Sequence, residues 1–322
     1  MSPDGARYYR VAHSTAYRYS EPASLSHQQL RVTPRPLDNQ TILTHEVVIK
    51  PEPTQQRKLV DAFGNPVTEI AIEAAHSTLD IVARTAVAVK ARPAIAPHDT
   101  PAWEAVREAL AYRAAWHPEP AVLDATRFLF ESPYARVKRD LRAYASDCFE
   151  PGRPILAAAA ALMAKIHGEF KFDAAATNVT TPVMKFFEQK RGVCQDFTHL
   201  MISCLRSTGL AARYVSGYLL TRPPAGKRRL IGADATHAWV SVFCPGAGWI
   251  DFDPTNAMIP SREHITIGWG RDFSDVSPLR GIILGGGEHK LKIAVTVVPE
   301  DEFTELYTDA DLPVSSLLAT DR

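Results

Sequence analysis

Three prolines, Pro93, Pro97 and Pro101, stand four residues apart in the segment 92–101. Each fixes φ and removes a backbone N–H, so neither a continuous helix nor a central strand can cross the segment. It reads as a linker, and the text on its two sides differs in kind. Before it, Tyr8–Tyr19, Leu43–Lys50, Val67–Ile72 and Leu79–Val89 are short alternating stretches, which is β-rich text. The breaks carry turn chemistry: Pro34-Arg35-Pro36, Pro51-Glu52-Pro53, and Asp61-Ala62-Phe63-Gly64-Asn65-Pro66, where Gly64 and Asn65 suit positive φ. An antiparallel sandwich or half-barrel is expected there.

After the linker, Ala102–Trp116, Ala121–Phe130, Val137–Cys148 and Ile155–Phe170 read as helices. In Val193, Phe197, Leu200, Met201, Cys204 and Thr208 the spacing predicts a further helix with one buried face, closed by Gly209 at its C-terminus. Ala212–Thr221, Thr236–Cys244 and Trp249–Asp253 read as strands, the last two a hairpin about 245–248, and strand-like text returns over 264–300. Gly285-Gly286-Gly287 lacks the Lys-Ser/Thr of a phosphate loop and reads as a turn. The fold class is therefore α+β. A β-rich N-terminal region (1–92) precedes a helical linker layer (93–154), a core of helices on an antiparallel sheet (155–300), and a polar tail (301–322) expected to be partly disordered.

Thirty-six basic and thirty-six acidic residues balance, with neither sign concentrated, so nothing favours nucleic acid or an anionic membrane as partner. Met1–Tyr19 has no apolar signal-like run and no segment approaches membrane-spanning length, which predicts a cytoplasmic protein. Cys148, Cys194, Cys204 and Cys244 form no Cys-x-x-Cys pair, which argues against a disulfide framework or a structural zinc. Reduced thiols, no metal and no cofactor are expected. His199 beside Cys194 or Cys204 is a weak metal pattern that lacks a fourth ligand.

Cys194 lies at the start of the predicted helix, where unpaired N–H groups and the helix dipole favour a thiolate. His237 and Asp253 follow on the two strands of the hairpin. Reflection about its turn puts Asp253 opposite roughly 237–240, at a cross-strand separation of about 4.5–5.5 Å. Asp251 falls two residues further away. A nucleophile, a base and an orienting carboxylate thus follow one another, with Asp253 expected to accept the His237 Nδ1–H. The Cys194 N–H is the expected oxyanion donor, with no second donor identifiable. Each residue also has a bland role: a small buried thiol, a structural strand histidine, a turn-initiating aspartate. Asp196 reads as a cap or salt bridge, Trp239 and Trp249 as core or cleft-wall aromatics, and Arg271, Asp272 and Asp275 as a bracing loop.

At Gly192-Val193-Cys194-Gln195-Asp196-Phe197, Thr236-His237-Ala238-Trp239 and Trp249-Ile250-Asp251-Phe252-Asp253-Pro254-Thr255 the chain resembles the bacterial transglutaminase-like superfamily, also described as predicted cysteine proteases. Tyr9–Tyr17, Asp61–Asn65 and Gly270–Val276 carry the resemblance across roughly residues 8–300. It implies a papain-like core, Cys194 as nucleophile, His237 as base, Asp253 as orienter, and acyl transfer from a peptide or isopeptide amide through a thioester. The acceptor is water or an amine. Animal transglutaminases carry Trp directly after the nucleophile, where Gln195 stands here, and the chain has no EF-hand spacing. A peptide or protein substrate is expected, with a protein partner for the N-terminal β region through His27, Arg31 or Arg35. A non-catalytic peptide-binding cleft is the alternative of a different class.

Overall fold

The computed structural model describes residues 5–112, 118–220 and 235–302. In chain order the elements are β1 (Arg7–Leu30), β2 (Gln40–Lys50), β3 (Gln55–Val60), β4 (Pro66–Ile72), β5 (His76–Val89), α1 (Trp103–Leu110), α2 (Pro120–Thr126), α3 (Arg139–Ala145), α4 (Ile155–Glu169), β6 (Lys171–Phe172) and α5 (Val183–Gln189). They continue with β7 (Arg191–Gly192), α6 (Cys194–Ser207), β8 (Ala212–Leu219), β9 (Thr236–Cys244), β10 (Gly248–Phe252), β11 (His264–Gly270), α7 (Phe273–Val276), β12 (Leu279–Gly285) and β13 (His289–Pro299). The mixed α+β class and the β-rich N-terminal region are as the sequence predicts. The expected disorder of the tail concerns residues that, apart from 301 and 302, lie outside those described.

β1 organises the N-terminal sheet. Its first half pairs with β5 on one side and β13 on the other, and its second half pairs with β4 and β12. The change of partners falls at Ser20–Pro22, and Gly285, Gly286 and Gly287, all at positive φ, turn the opposing strand at the same point. Strand pairing thus crosses the boundary drawn from sequence: 279–299 belongs to the N-terminal sheet, although its position after the core text placed it with the core. β3 was not foreseen because Gln55–Val60 is exposed throughout and so has no buried face to impose alternation.

The second sheet runs β10-β9-β8-β11, all antiparallel. α6 packs on it, with α3, α4 and α5 outside. Sequence periodicity predicted one buried face for α6. Instead Gln195–Ser207 is buried on every side, polar residues included, because helices and sheet enclose it. Gly209, at φ 88°, follows the helix as expected.

The two sheets share an apolar seam of Tyr9, Val11, Val87, Val89 and Val295 from one and Tyr218, Leu220, Ile265 and Ile267 from the other. Each fully buried large apolar side chain there is worth roughly 1.5–3 kcal/mol. A second device covers β11, the edge of the core sheet. The Gln40 amide donates to Thr266 O at 2.7 Å and accepts from Thr266 N at 2.8 Å. The Asn65 amide makes the corresponding pair with Trp269, at 2.8 and 3.0 Å. Two side chains thus stand in for a missing strand. Gly64 takes the positive φ that the Asp61–Asn65 turn needs, at 78°, while Asn65 does not.

Candidate active site

Cys194 is the first residue of α6, and Val193 before it is extended, with φ −107° and ψ 175°. Asp196 caps the helix: its Oδ2 accepts the Val193 N–H at 2.8 Å and the Thr177 hydroxyl at 2.6 Å. That carboxylate also sits in the first turn, where the helix dipole favours it. The chain can reach this geometry only with glycine at 192, since a Cβ there would collide with Asp196 Oδ2 and the Phe186 ring. Cys194 itself is partly exposed, whereas Cys148, Cys204 and Cys244 are buried.

His237 enters from the second position of β9, and Asp253 lies one residue beyond β10. The hairpin register pairs Phe252 with Val240 and Asp251 with Ser241, which puts Asp253 beside the His237 end of β9. His237 Nε2 and Asp253 Oδ2 are 2.7 Å apart. The predicted contact was through Nδ1. The structure uses Nε2, the atom farther from the backbone, because Asp253 lies diagonally across the ladder from His237 rather than opposite it. Cys194 is the other side chain that hydrogen-bonds His237. Burial alone would lower the imidazole pKa, but the hydrogen bonds to Asp253 and Cys194 outweigh it and push the value up to about 10. Burial would raise the Asp253 pKa, and the donors around the carboxylate hold it well below 3.8 instead.

The two readings of Asp253 divide between its oxygens. Oδ1 accepts the backbone N–H of Thr255 at 3.0 Å and of Asn256 at 3.2 Å, the work of a turn initiator. Oδ2 faces His237 and also accepts from Asn256 Nδ2 at 2.8 Å and His264 Nε2 at 3.2 Å. The turn contacts and the histidine contacts therefore coexist on one carboxylate. His264 and Asn256 were missed by sequence reasoning. Asn256 follows Asp253 by three residues, a spacing that an Asx-type turn would have flagged. His264 opens β11, three strands away from β10 in the sheet, and no spacing rule connects the two.

His237, Asp253 and His264 offer three ligand atoms within 4.8 Å of one another, residue types that zinc accepts. Their separations of 2.7 and 3.2 Å are those of hydrogen bonds, and the first is shorter than the ~3.3 Å edge of a tetrahedron built on ~2.0 Å bonds. The geometry thus fits a proton-sharing network better than a metal centre.

Other residues singled out by sequence have structural places. Asp251 pairs with Arg92 of the linker at 3.1 Å. Trp239 is fully buried, and Trp249 packs against Phe128. Arg271 pairs with Asp275 at 2.9 Å, while buried Asp272 accepts from Tyr134 N and Ser274 N, both at 2.9 Å, so this loop braces the core. His199 accepts from Phe273 N at 3.2 Å and stacks on Tyr134. Arg35 lies 3.6 Å over the Trp269 ring and Arg31 contacts Asp61, so neither is a free recognition surface.

Comparison with known proteins bears on the family and the fold. Residues 9–88 match the bacterial transglutaminase-like N-terminal region, and residues 142–254 match the transglutaminase-like superfamily. An uncharacterized protein of Mycobacterium tuberculosis is 38% identical over 303 residues, covering 92% of this chain and 94% of that protein. The chain belongs to the transglutaminase-like superfamily. An uncharacterized protein of Mycobacterium leprae is 30% identical over 295 residues, covering 89% of this chain and 97% of its own length. A crystal structure from Cytophaga hutchinsonii, described as a candidate cysteine protease, has the same fold: the TM-score is 0.69 at 19% identity, over 92% of this chain and 91% of that one. Among the described residues, no helix is long and apolar enough to cross a membrane.

Proposed function

We propose that this superfamily member is a thiol-dependent acyl-transfer enzyme that opens a peptide or isopeptide amide through a thioester at Cys194. His237 takes the thiol proton, and Asp253 holds the ring and balances the imidazolium. The sulfur attacks the carbonyl carbon, and the Cys194 backbone N–H at the helix start donates to the oxyanion. His237 then gives its proton to the leaving amine. Water, deprotonated by His237, releases the acid and restores the thiol. The observation that carries the reading is the 2.7 Å contact between Asp253 and a histidine that also hydrogen-bonds a cysteine at a helix N-terminus.

Hydrolysis ranks first because Gln195, rather than Trp, follows the nucleophile. Transamidation is the second reading, favoured by 34% identity over 102 residues to a protein-glutamine gamma-glutamyltransferase of Pseudomonas aeruginosa, covering 29% of this chain and 15% of that protein. A cytoplasmic location suits the thiol, which stays reduced there. The N-terminal region is proposed to receive a protein partner at the groove that holds His27, Arg57 and Arg280.

The test is mass spectrometry of amide and isopeptide peptides incubated with the enzyme, with and without hydroxylamine. Free acid alone identifies a hydrolase, and hydroxamate shows that the thioester passes to an amine. Cys194→Ala should give neither product. Equal turnover by that variant would refute the assignment, and binding of peptide without any product would favour the non-catalytic cleft.

A further inference from the structure

We propose that His264 is a positioning residue for this site, acting through Asp253. The inference rests on the catalytic reading above. His264 is 4% exposed, and its Nε2–H donates to Asp253 Oδ2 at 3.2 Å. Its Nδ1 is buried without a protein partner, and the Trp239 ring meets it edge-on with centroids 5.1 Å apart. A half-satisfied buried imidazole is less favourable than an apolar side chain of similar size would be in this position. What it supplies in return is one contact, to the carboxylate that orients His237.

That contact differs in kind from the others on Asp253. Thr255 N, Asn256 N and Asn256 Nδ2 belong to the carboxylate's own turn and move with it. His264 and His237 come from other strands. With His264 in place, the carboxylate is held between β11 and β9 rather than by its turn alone. β11 is in turn fixed by Gln40 and Asn65 of the N-terminal region. Among the described residues, the titratable groups facing Asp253 are His237 from β9 and His264 from β11, with Cys194 of α6 beyond His237.

The experiment compares iodoacetamide alkylation of Cys194 at about pH 6 in the wild type, His264→Leu and His264→Gln, with glutathione as reference thiol and thermal midpoints recorded. Gln keeps an N–H near the Nε2 position and Leu removes it. The expected result is alkylation slowed by about tenfold in His264→Leu, largely restored in His264→Gln, with no fall in midpoint in either. Wild-type speed in His264→Leu would overturn the proposal. So would equal slowing in both variants, since the N–H donor is the claim. A wild type no faster than glutathione would instead count against the catalytic reading itself.

Discussion

Asp253 answers to its turn through Oδ1 and to His237 and His264 through Oδ2, so a substitution can break one duty and spare the other. Asp253→Asn keeps an acceptor for the turn but faces His237, His264 and Asn256 with a donor, or the reverse. We expect turnover to fall by roughly 10²–10⁴, within the range of general acid–base contributions, with little change in the hairpin. Stability carries its own signature. The folded pKa of His237 lies above its ordinary 6.5, so its stabilisation is complete below 6.5 and is lost as pH rises toward about 10. That of Asp253 lies below 3.8, so its stabilisation is present above 3.8 and is lost as pH falls further. The gap in thermal midpoint between wild type and Asp253→Asn should therefore be widest between about pH 4 and 6.5 and narrow on either side. A gap that does not vary with pH would mean that the pair is not ionised as described. At this scale the sequence was legible for Cys194, His237 and Asp253, because a helix start and a tight hairpin fix their neighbourhood. It was silent on His264 and wrong about the ring nitrogen, since both depend on where strands meet diagonally or beyond their sequence neighbours.

Among the elements, β11 is the most dependent on distant partners. Gln40 and Asn65 each supply a donor and an acceptor to its outer edge, and truncating either leaves buried backbone groups unpaired. Gln40→Ala and Asn65→Ala should each lower stability by about 1–3 kcal/mol in urea unfolding, and a change below a few tenths would remove the edge-capping role. Asp272→Ala, which removes the acceptor for Tyr134 N and Ser274 N, should likewise lower the thermal midpoint while leaving the kinetic constants of the stable fraction unchanged. A kinetic effect without destabilisation would move the loop into the site. Periodicity located α6 and β9 well, since local spacing decides them. It misjudged the burial of α6 and missed β3, because enclosure by other elements and pairing along an exposed edge leave no local pattern.

In the whole molecule the two sheets are interdependent: β1 carries both β12 and β13, which follow the core in sequence, and the seam of Tyr9, Val87, Tyr218 and Ile265 joins the sheets. Removal of residues 1–92 would strip β12 and β13 of their partner, uncover the seam and open the β11 edge. We expect the truncated chain to aggregate or bind apolar dyes, whereas a soluble, cooperatively melting fragment would show the core to be autonomous. Composition and turn residues revealed two kinds of text, but only the strand partners show that the C-terminal strands close the first sheet. This scaffold holds a cysteine, a histidine and an aspartate in line, and the central claim is that the cysteine and the histidine form a working ion pair with the aspartate orienting the imidazolium. The most direct measurement is the pH dependence of Cys194 alkylation by iodoacetamide, read by mass spectrometry beside His237→Ala. The account predicts labelling that stays fast well below pH 7 in the wild type and is lost in the variant; labelling no faster than free glutathione, or unchanged in His237→Ala, would contradict it.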